Sequence, residues 1–315
     1  MRRLEHIITP EQEGVRTDVV LRQTLRLSGT VIKRVKHLPG GILLDGQPVW
    51  PSFPVKTGQT LSVLVGDTEV TGGPVPKEGP LDIVYEDEDL VILNKPAGTP
   101  THPGPTDIYH TIGNYLTDYY QKQNIPFLFR PVNRLDVPTS GLMVVARHAH
   151  AHSLMKEQLH TAEFRRRYLA VCDGVPEPRQ GIIDAPIAQD ETSYLTRMIS
   201  PDGAPSRTHY RVLGEREGRS LVSLELETGR THQIRVHMAH IGCPLTGDFL
   251  YGTEDKSAIG RTALHSHRVD LVHPITGELL SFTAPLPEDM KRLFPVEEGE
   301  ESWYDDDKSE TWRTT

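Results

Sequence analysis

At 315 residues the chain is longer than one average domain and long enough for a sizeable core, and it carries a formal net charge of −9. No apolar run approaches the roughly 20 residues that a membrane-spanning helix needs, and the charged start Met1-Arg2-Arg3-Leu4-Glu5 lacks the apolar core of a signal peptide. Cys172 and Cys243 are too few for a disulfide scaffold, so a reducing cytoplasm is the expected compartment.

Residues 1–66 read as a small α/β module. Val15 to Leu25 has helical apolar spacing, and Ser28 stands as the N-cap of a second helix running to Lys36. Ile42 to Val49 reads as a hairpin turning on Asp45-Gly46, and Gly58 to Val65 closes the sheet. The acidic total hides a +4 balance over this module and −6 over residues 296–315. Since fields are screened over about 8 Å at physiological salt, the local balance governs phosphate binding. Lys33, Arg34 and Lys36 on the second helix, helped by Arg22 and Arg26, are the expected phosphate contacts, which position RNA without reading its sequence. Residues 67–80, rich in Gly and Pro, have linker composition and predict two units free to move against each other. The tail 296–315 is acidic and poor in aliphatics, which predicts disorder, with Trp303, Tyr304 and Trp312 available for docking.

Residues 81–295 form the larger unit. Two apolar runs around the acidic cluster of Glu86 to Asp89 predict a hairpin that Pro96 and Gly98 terminate. Asn133-Arg134-Leu135-Asp136 is followed by the turn chemistry of Val137 to Gly141 and by Leu142-Met143-Val144-Val145-Ala146, short enough for a buried strand. A loop at the mouth of a core strand is where a rigid scaffold displays reactive groups, so Asp136 is the foremost candidate. Tyr168 alternates with apolar neighbours in Arg165 to Val171, as a core strand does. Further on, Arg230, His232, Gln233, Arg235 and His237 crowd into eight positions, more donors than packing requires. RNA or a carboxylate would satisfy them.

These segments, in this order, resemble the RluA family of RNA pseudouridine synthases. The loop resembles its motif His-Arg-Leu-Asp-x-x-Thr-Ser-Gly-Leu, with Asn133 in the place of the His. Asp82 to Pro103, Arg166-x-Tyr168-x-Ala170, Thr228 to Asp248, and Ala263 to Pro287 resemble its other segments. The resemblance implies an α+β fold with a mixed, largely antiparallel central sheet. It also implies an S4-like RNA-binding module ahead of that sheet, in which Gly29 departs from a frequent basic residue. It makes Asp136 the catalytic carboxylate, Arg235 its fork-like ion-pair partner and Tyr168 a base contact or proton acceptor. The resemblance also implies that Arg134 would fill the stack vacated by a flipped base, and Arg230, His232 and Gln233 are expected to face the substrate. The implied substrate is uridine in structured RNA, large-subunit rRNA ahead of tRNA, handled by a monomer.

The isomerisation of uridine to pseudouridine loses no atoms and changes no oxidation state, so neither cofactor nor metal is implied. A carboxylate suits it, being able to stabilise or trap a sugar that becomes electron-poor at C1′. Three other readings are weighed. A glycosidase needs a second carboxylate at fixed separation, and the Asp136 region offers no obvious one. A metal enzyme could use His148, His150 and His152, or His232, His237 and His240, but no Cys or carboxylate completes either set. An inactive RNA-binding or ribosome-assembly protein on the same scaffold would not require Asp136, Tyr168 and Arg235 together.

Overall fold

The computed structural model describes residues 1–67, 70–105, 107–159 and 161–295; the acidic tail lies outside the described residues. At the amino end, β1 (Arg2–Ile7), α1 (Thr17–Gln23), α2 (Gly29–Val35), β2 (Ile42–Leu44), β3 (Gln47–Pro48) and β4 (Thr60–Val65) build an antiparallel sheet ordered β1-β4-β2-β3. Asp45 and Gly46 both take positive φ, 49° and 78°, the conformation of a two-residue hairpin turn. Ser28 Oγ caps α2 by accepting from the Val31 N–H. Val20, Leu21, Val31, Ile32 and Val35 bury their faces against Leu4, Ile42, Leu61 and Val63, a core that Ile275 of the second unit packs against.

The second unit contains β5 (Ile83–Glu86), β6 (Leu90–Lys95), α3 (Ile112–Lys122), β7 (Arg130–Pro131), β8 (Ser140–Ala146), α4 (Ala149–Gln158), β9 (Phe164–Asp173), β10 (Gln180–Asp184), β11 (Ile187–Gln189) and β12 (Arg197–Ile199). After these come β13 (Arg207–Arg216), β14 (Arg219–Leu226), α5 (Gln233–His240), β15 (Leu264–Val272), β16 (Leu279–Thr283) and α6 (Glu288–Leu293). A ten-stranded sheet runs β10-β13-β14-β9-β15-β8-β6-β5, with β16 on β15 and β7 on β8. This is the mixed, largely antiparallel α+β sheet that the motifs imply. Alternate residues of the central strands face opposite layers. Val91, Leu93, Met143 and Val145 meet α3, whereas Leu90, Ile92, Leu142, Val144 and Ala146 meet Ala151 and Met155 of α4. Burial on both faces explains why β8 reads as an unbroken apolar run, each large side chain contributing about 1.5–3 kcal/mol.

One seam is parallel: β8 pairs with β15 through Ser140 with His265 and Gly141 with Ser266. A Cβ at Gly141 would lie 2.2 Å from the Ser266 carbonyl oxygen, and its φ is 107°, so only glycine fits. Ser266 also faces Tyr168 across β15 and β9. The Asp136 loop therefore enters the sheet two strands from Tyr168.

The amino-terminal unit is docked, which the linker composition does not foretell. Arg2 pairs with the buried Asp89, Arg26 with Glu157 at 2.5 Å, and Asp67 receives both Arg34 (3.1 Å) and Arg130 (2.6 Å). The Gly/Pro segment is itself tied down, since Asn114 Nδ2 donates to the Val75 carbonyl at 2.8 Å.

Candidate active site

The loop 133–139 is held chiefly through its main chain. Asn133 Oδ1 accepts from the Val144 N–H (2.9 Å), Thr101 Oγ1 donates to the Leu135 carbonyl (2.9 Å), the Gly98 N–H donates to Val137 (2.8 Å) and Arg261 donates to Pro138 (3.2 Å). Lys95, fully buried at the end of β6, donates to the carbonyls of Pro96 (2.9 Å), Thr99 (2.8 Å) and Val137 (3.4 Å). Burial pushes its pKa down to about 7, with the negative charge of Asp136 opposing and Arg261 reinforcing that shift. Asp136 thus projects from a backbone fixed on three sides, its side chain 28% exposed.

Facing it is α5, whose N-cap His232 has left-handed backbone, φ 59° and ψ 17°, an unusual conformation for a non-glycine residue. That bend brings His232 Nε2 to 3.9 Å and Arg235 Nη1 to 3.8 Å from the same oxygen of Asp136. The fork expected between Arg235 and Asp136 goes elsewhere. Arg235, 1% exposed, donates Nε and Nη2 to the fully buried Asp248 at 2.6 and 2.7 Å. A buried guanidinium needs a carboxylate at hydrogen-bond distance, and Asp248 supplies it while Asp136 stays open to a substrate. Burial pulls the Arg235 pKa down, but Asp248 and Asp136 outweigh it and the net shift is upward.

Tyr251 fixes the His232 tautomer. Its hydroxyl accepts the Arg197 N–H at 2.8 Å and lies 2.8 Å from His232 Nδ1. Donating its own proton to Nδ1 places the imidazole proton on Nε2, facing Asp136. Burial, reinforced by Arg235 against the pull of Asp136 and Asp248, lowers the His232 pKa and keeps the ring neutral near pH 7.

Asp136, Arg134, Tyr168, Arg230, His232, Gln233 and Arg235 line one cleft of about 1140 Å³. Arg134 and Arg230 are exposed at its rim, and Tyr168 is 4% exposed at its floor, where burial pushes the phenol pKa up against the pull of Arg166. Gln233 is not free for a substrate. Its Oε1 accepts from Thr228 and Arg230, its Nε2 donates to Arg207 and Thr208, and it closes the turn into α5. His237 is likewise consumed by Thr208 and the Ala185 carbonyl. Lys33, Arg34 and Lys36 do not line this cleft. Lys33 is exposed, Arg34 is bound to Asp67 and the Gly66 carbonyl, and Lys36 lies 6.0 Å over the Trp50 ring. Residues the sequence reading missed are Asp248, Tyr251, Lys95 and the cleft-lining Phe249, which is 57% exposed. Of these, Asp248 had a usable signal, a Gly-Asp pair inside a family-like segment.

Among the described residues, the one grouping close enough to hold a metal ion is Asp87, Asp89 and His273. Its proton arrangement does not suit a metal. The N–H groups of Ile275 and Thr276 donate to His273 Nδ1, which puts the ring proton on Nε2, 2.8 Å from Asp87. His148 repeats the pattern, Nδ1 accepting from Ala151 and Nε2 facing Asp89 at 2.8 Å. A metal on Nε2 would require Nδ1 to carry a proton against a main-chain donor. His148 is moreover the N-cap of α4, its ring turned onto the first-turn N–H of Ala151.

The sequence profile described as RNA pseudouridylate synthase matches residues 89–240. The uncharacterized RNA pseudouridine synthase YhcT of Bacillus subtilis (strain 168) is 40% identical over 295 residues, 93% of this chain and 96% of that protein. This chain belongs to the RluA family of RNA pseudouridine synthases. Ribosomal large subunit pseudouridine synthase D of Nitrosomonas europaea is 35% identical to this synthase over 92% of its chain and 86% of the relative. The solved structure of Human RNA Pseudouridylate Synthase Domain Containing 4 superposes with TM-score 0.54 at 26% identity, covering 67% of this synthase and 92% of the human chain. The enzyme is accordingly an isomerase, and Asp136, Tyr168, His232 and Arg235 of the cleft lie within the region matched by the family profile.

Proposed function

We propose that this synthase isomerises uridine in large-subunit ribosomal RNA, with Asp136 as the carboxylate that carries the reaction. The supporting observation is the geometry of Asp136: its carboxylate lines the cleft, 28% exposed, and faces two donors that both stand beyond hydrogen-bond range. Such a carboxylate is aimed without being consumed by an ion pair. Attack of an Asp136 oxygen on C1′ forms a C–O bond as the N1–C1′ bond breaks. The uracil leaves with the bonding electrons, turns and rejoins through C5 as the C1′–O bond to Asp136 breaks, and the C5 proton then departs while N1 takes one up. Removal of a ribose proton by Asp136, giving a glycal, releases the base with the same charge. Tyr168, on the cleft floor, is assigned to the base, and the rim residue Arg134 to the vacated stack. The rRNA preference rests on the relatives named for the large subunit, and tRNA is the competing substrate. Residues 1–66 are assigned RNA binding of the S4 type, on the support of their positive balance and the exposed Lys33.

Carbodiimide mapping of pseudouridine in total RNA tests this reading in cells with the gene, without it, and complemented by Asp136→Asn. Loss of signal at particular rRNA uridines, restored by the wild type and not by the variant, is expected. Signals that survive deletion, or restoration by Asp136→Asn, would refute it.

A further inference from the structure

Strand β9 carries three consecutive arginines whose fates differ by face. Arg165 forks onto Glu225 at 3.1 and 2.9 Å, and Arg167 approaches the same carboxylate at 3.7 Å. Arg166, between them, points with Tyr168 to the opposite side of the strand, as a period of two requires, and lines the cleft with Asp136 and Arg235. It is 4% exposed, yet among the described residues no carboxylate pairs with it and its buried Nε has no hydrogen-bond partner. The contact it does make is apolar, its guanidinium lying 5.6 Å from the Phe164 ring centroid. Its place is kept by Gly229, where a Cβ would come within 3.0 Å of Arg166 Nη1. Buried cations in proteins are paired, and an unpaired one facing a cleft beside the reacting groups lacks its anion.

We propose that Arg166 is a catalytic residue that binds the detached uracil as its anion. The inference rests on the reaction assigned above but not on its route. Whether Asp136 attacks C1′ or removes a ribose proton, N1 keeps the electron pair of the broken bond and the base acquires one negative charge. In the attack route that charge is the one Asp136 loses on forming its ester. A guanidinium at the floor of the base site meets charge that exists only after bond breaking begins, so it lowers the barrier without tightening ground-state binding. On C5 attack the charge returns to Asp136, whose ester bond breaks in the one route and which gives its proton back to the ribose in the other, and Arg166 is again left unpaired, ready for the next turnover.

The test is single-turnover conversion of a target RNA at saturating enzyme, alongside the RNA Kd and thermal melting, for Arg166→Met, Arg166→Lys and the wild type. Arg166→Met is expected to lower the saturated rate by about 10²- to 10³-fold, the loss typical of one donor aimed at developing charge. Its Kd should stay within about twofold of wild type, its melting temperature should not fall, and Arg166→Lys should recover part of the rate. Replacing the target with 5-fluorouridine, a more acidic leaving group, should narrow the gap between Arg166→Met and wild type, read as loss of the parent nucleoside. A saturated rate unchanged in Arg166→Met overturns the proposal whatever happens to melting. A defect confined to Kd would mean a backbone phosphate instead, and a gap undiminished by fluorine would mean that the base charge is not felt; either result overturns it. A wild type inactive on every uridine-containing RNA would overturn the assigned reaction along with it, so the two failures are distinguishable.

Discussion

Asp248→Asn separates the structural partner of Arg235 from the reactive carboxylate. The substitution keeps the shape of the side chain but removes the charge that receives Nε and Nη2 at 2.6 and 2.7 Å. Both partners are buried, so their pair cannot be replaced by water, and breaking such a pair by altering one member costs about 3–5 kcal/mol. For a domain of this size each kcal/mol moves the melting temperature by about 2–4 °C, giving an expected drop of roughly 6–20 °C. The remaining carboxylate near Arg235 is Asp136, 3.8 Å away. A shift of about 1 Å would bring it to ordinary charge-assisted hydrogen-bond length. Breaking that new bond before reaction would slow the single-turnover rate about 10- to 100-fold, equivalent to about 1.5–3 kcal/mol. Urea and thermal melts followed by circular dichroism, with single-turnover conversion measured well below the melting point, give both quantities. The double variant Arg235→Met/Asp248→Leu should regain most of the stability and none of the activity. A melting temperature within about 2 °C of wild type, together with an unchanged rate in Asp248→Asn, would refute the assignment of Asp248 as the buried counter-ion.

The pH dependence should carry the mark of His232. Its pKa lies below the ordinary histidine value, chiefly through burial, so the ring is neutral above that value and becomes a cation 3.9 Å from Asp136 as the pH falls through it. The rate should therefore fall on a limb centred below pH 6.5, and His232→Gln should remove that limb; a His232-dependent limb centred above 6.5 would contradict the burial argument. In the amino-terminal unit Lys33→Ala should weaken RNA binding and reduce the salt slope by about one unit. Arg34→Ala, which unties Asp67 from α2, should instead make the unit more susceptible to limited proteolysis at low salt; equal behaviour of the two variants would refute the distinction.

The sheet strands were legible because alternation and apolar runs are local properties. The Asp136 loop announced itself by turn residues leading into Leu142 to Ala146, and that segment is the buried strand of the parallel seam. The seam itself was not legible, since β8 meets β15 across more than a hundred residues and nothing in either segment names the other. Donors were visible, but their acceptors were not. Gln233 and His237 read as waiting for RNA because their partners, Thr208 and Ala185, lie 25 and 52 residues earlier. The linker composition of residues 67–80 predicted freedom, yet composition cannot show that Asn114 holds Val75 or that Asp67 joins Arg34 to Arg130.

The loop bearing Asp136 is fastened by its carbonyls and amides, through Lys95, Thr101, Gly98 and Arg261, while its outward side chains take little part. Val137, 46% exposed, holds the loop with its carbonyl and leaves its side chain in solvent beside the reactive group. Support and surface are thereby carried by different atoms of the same residue, so the side chain at position 137 can be exchanged without removing the main-chain contacts that set where the Asp136 carboxylate points.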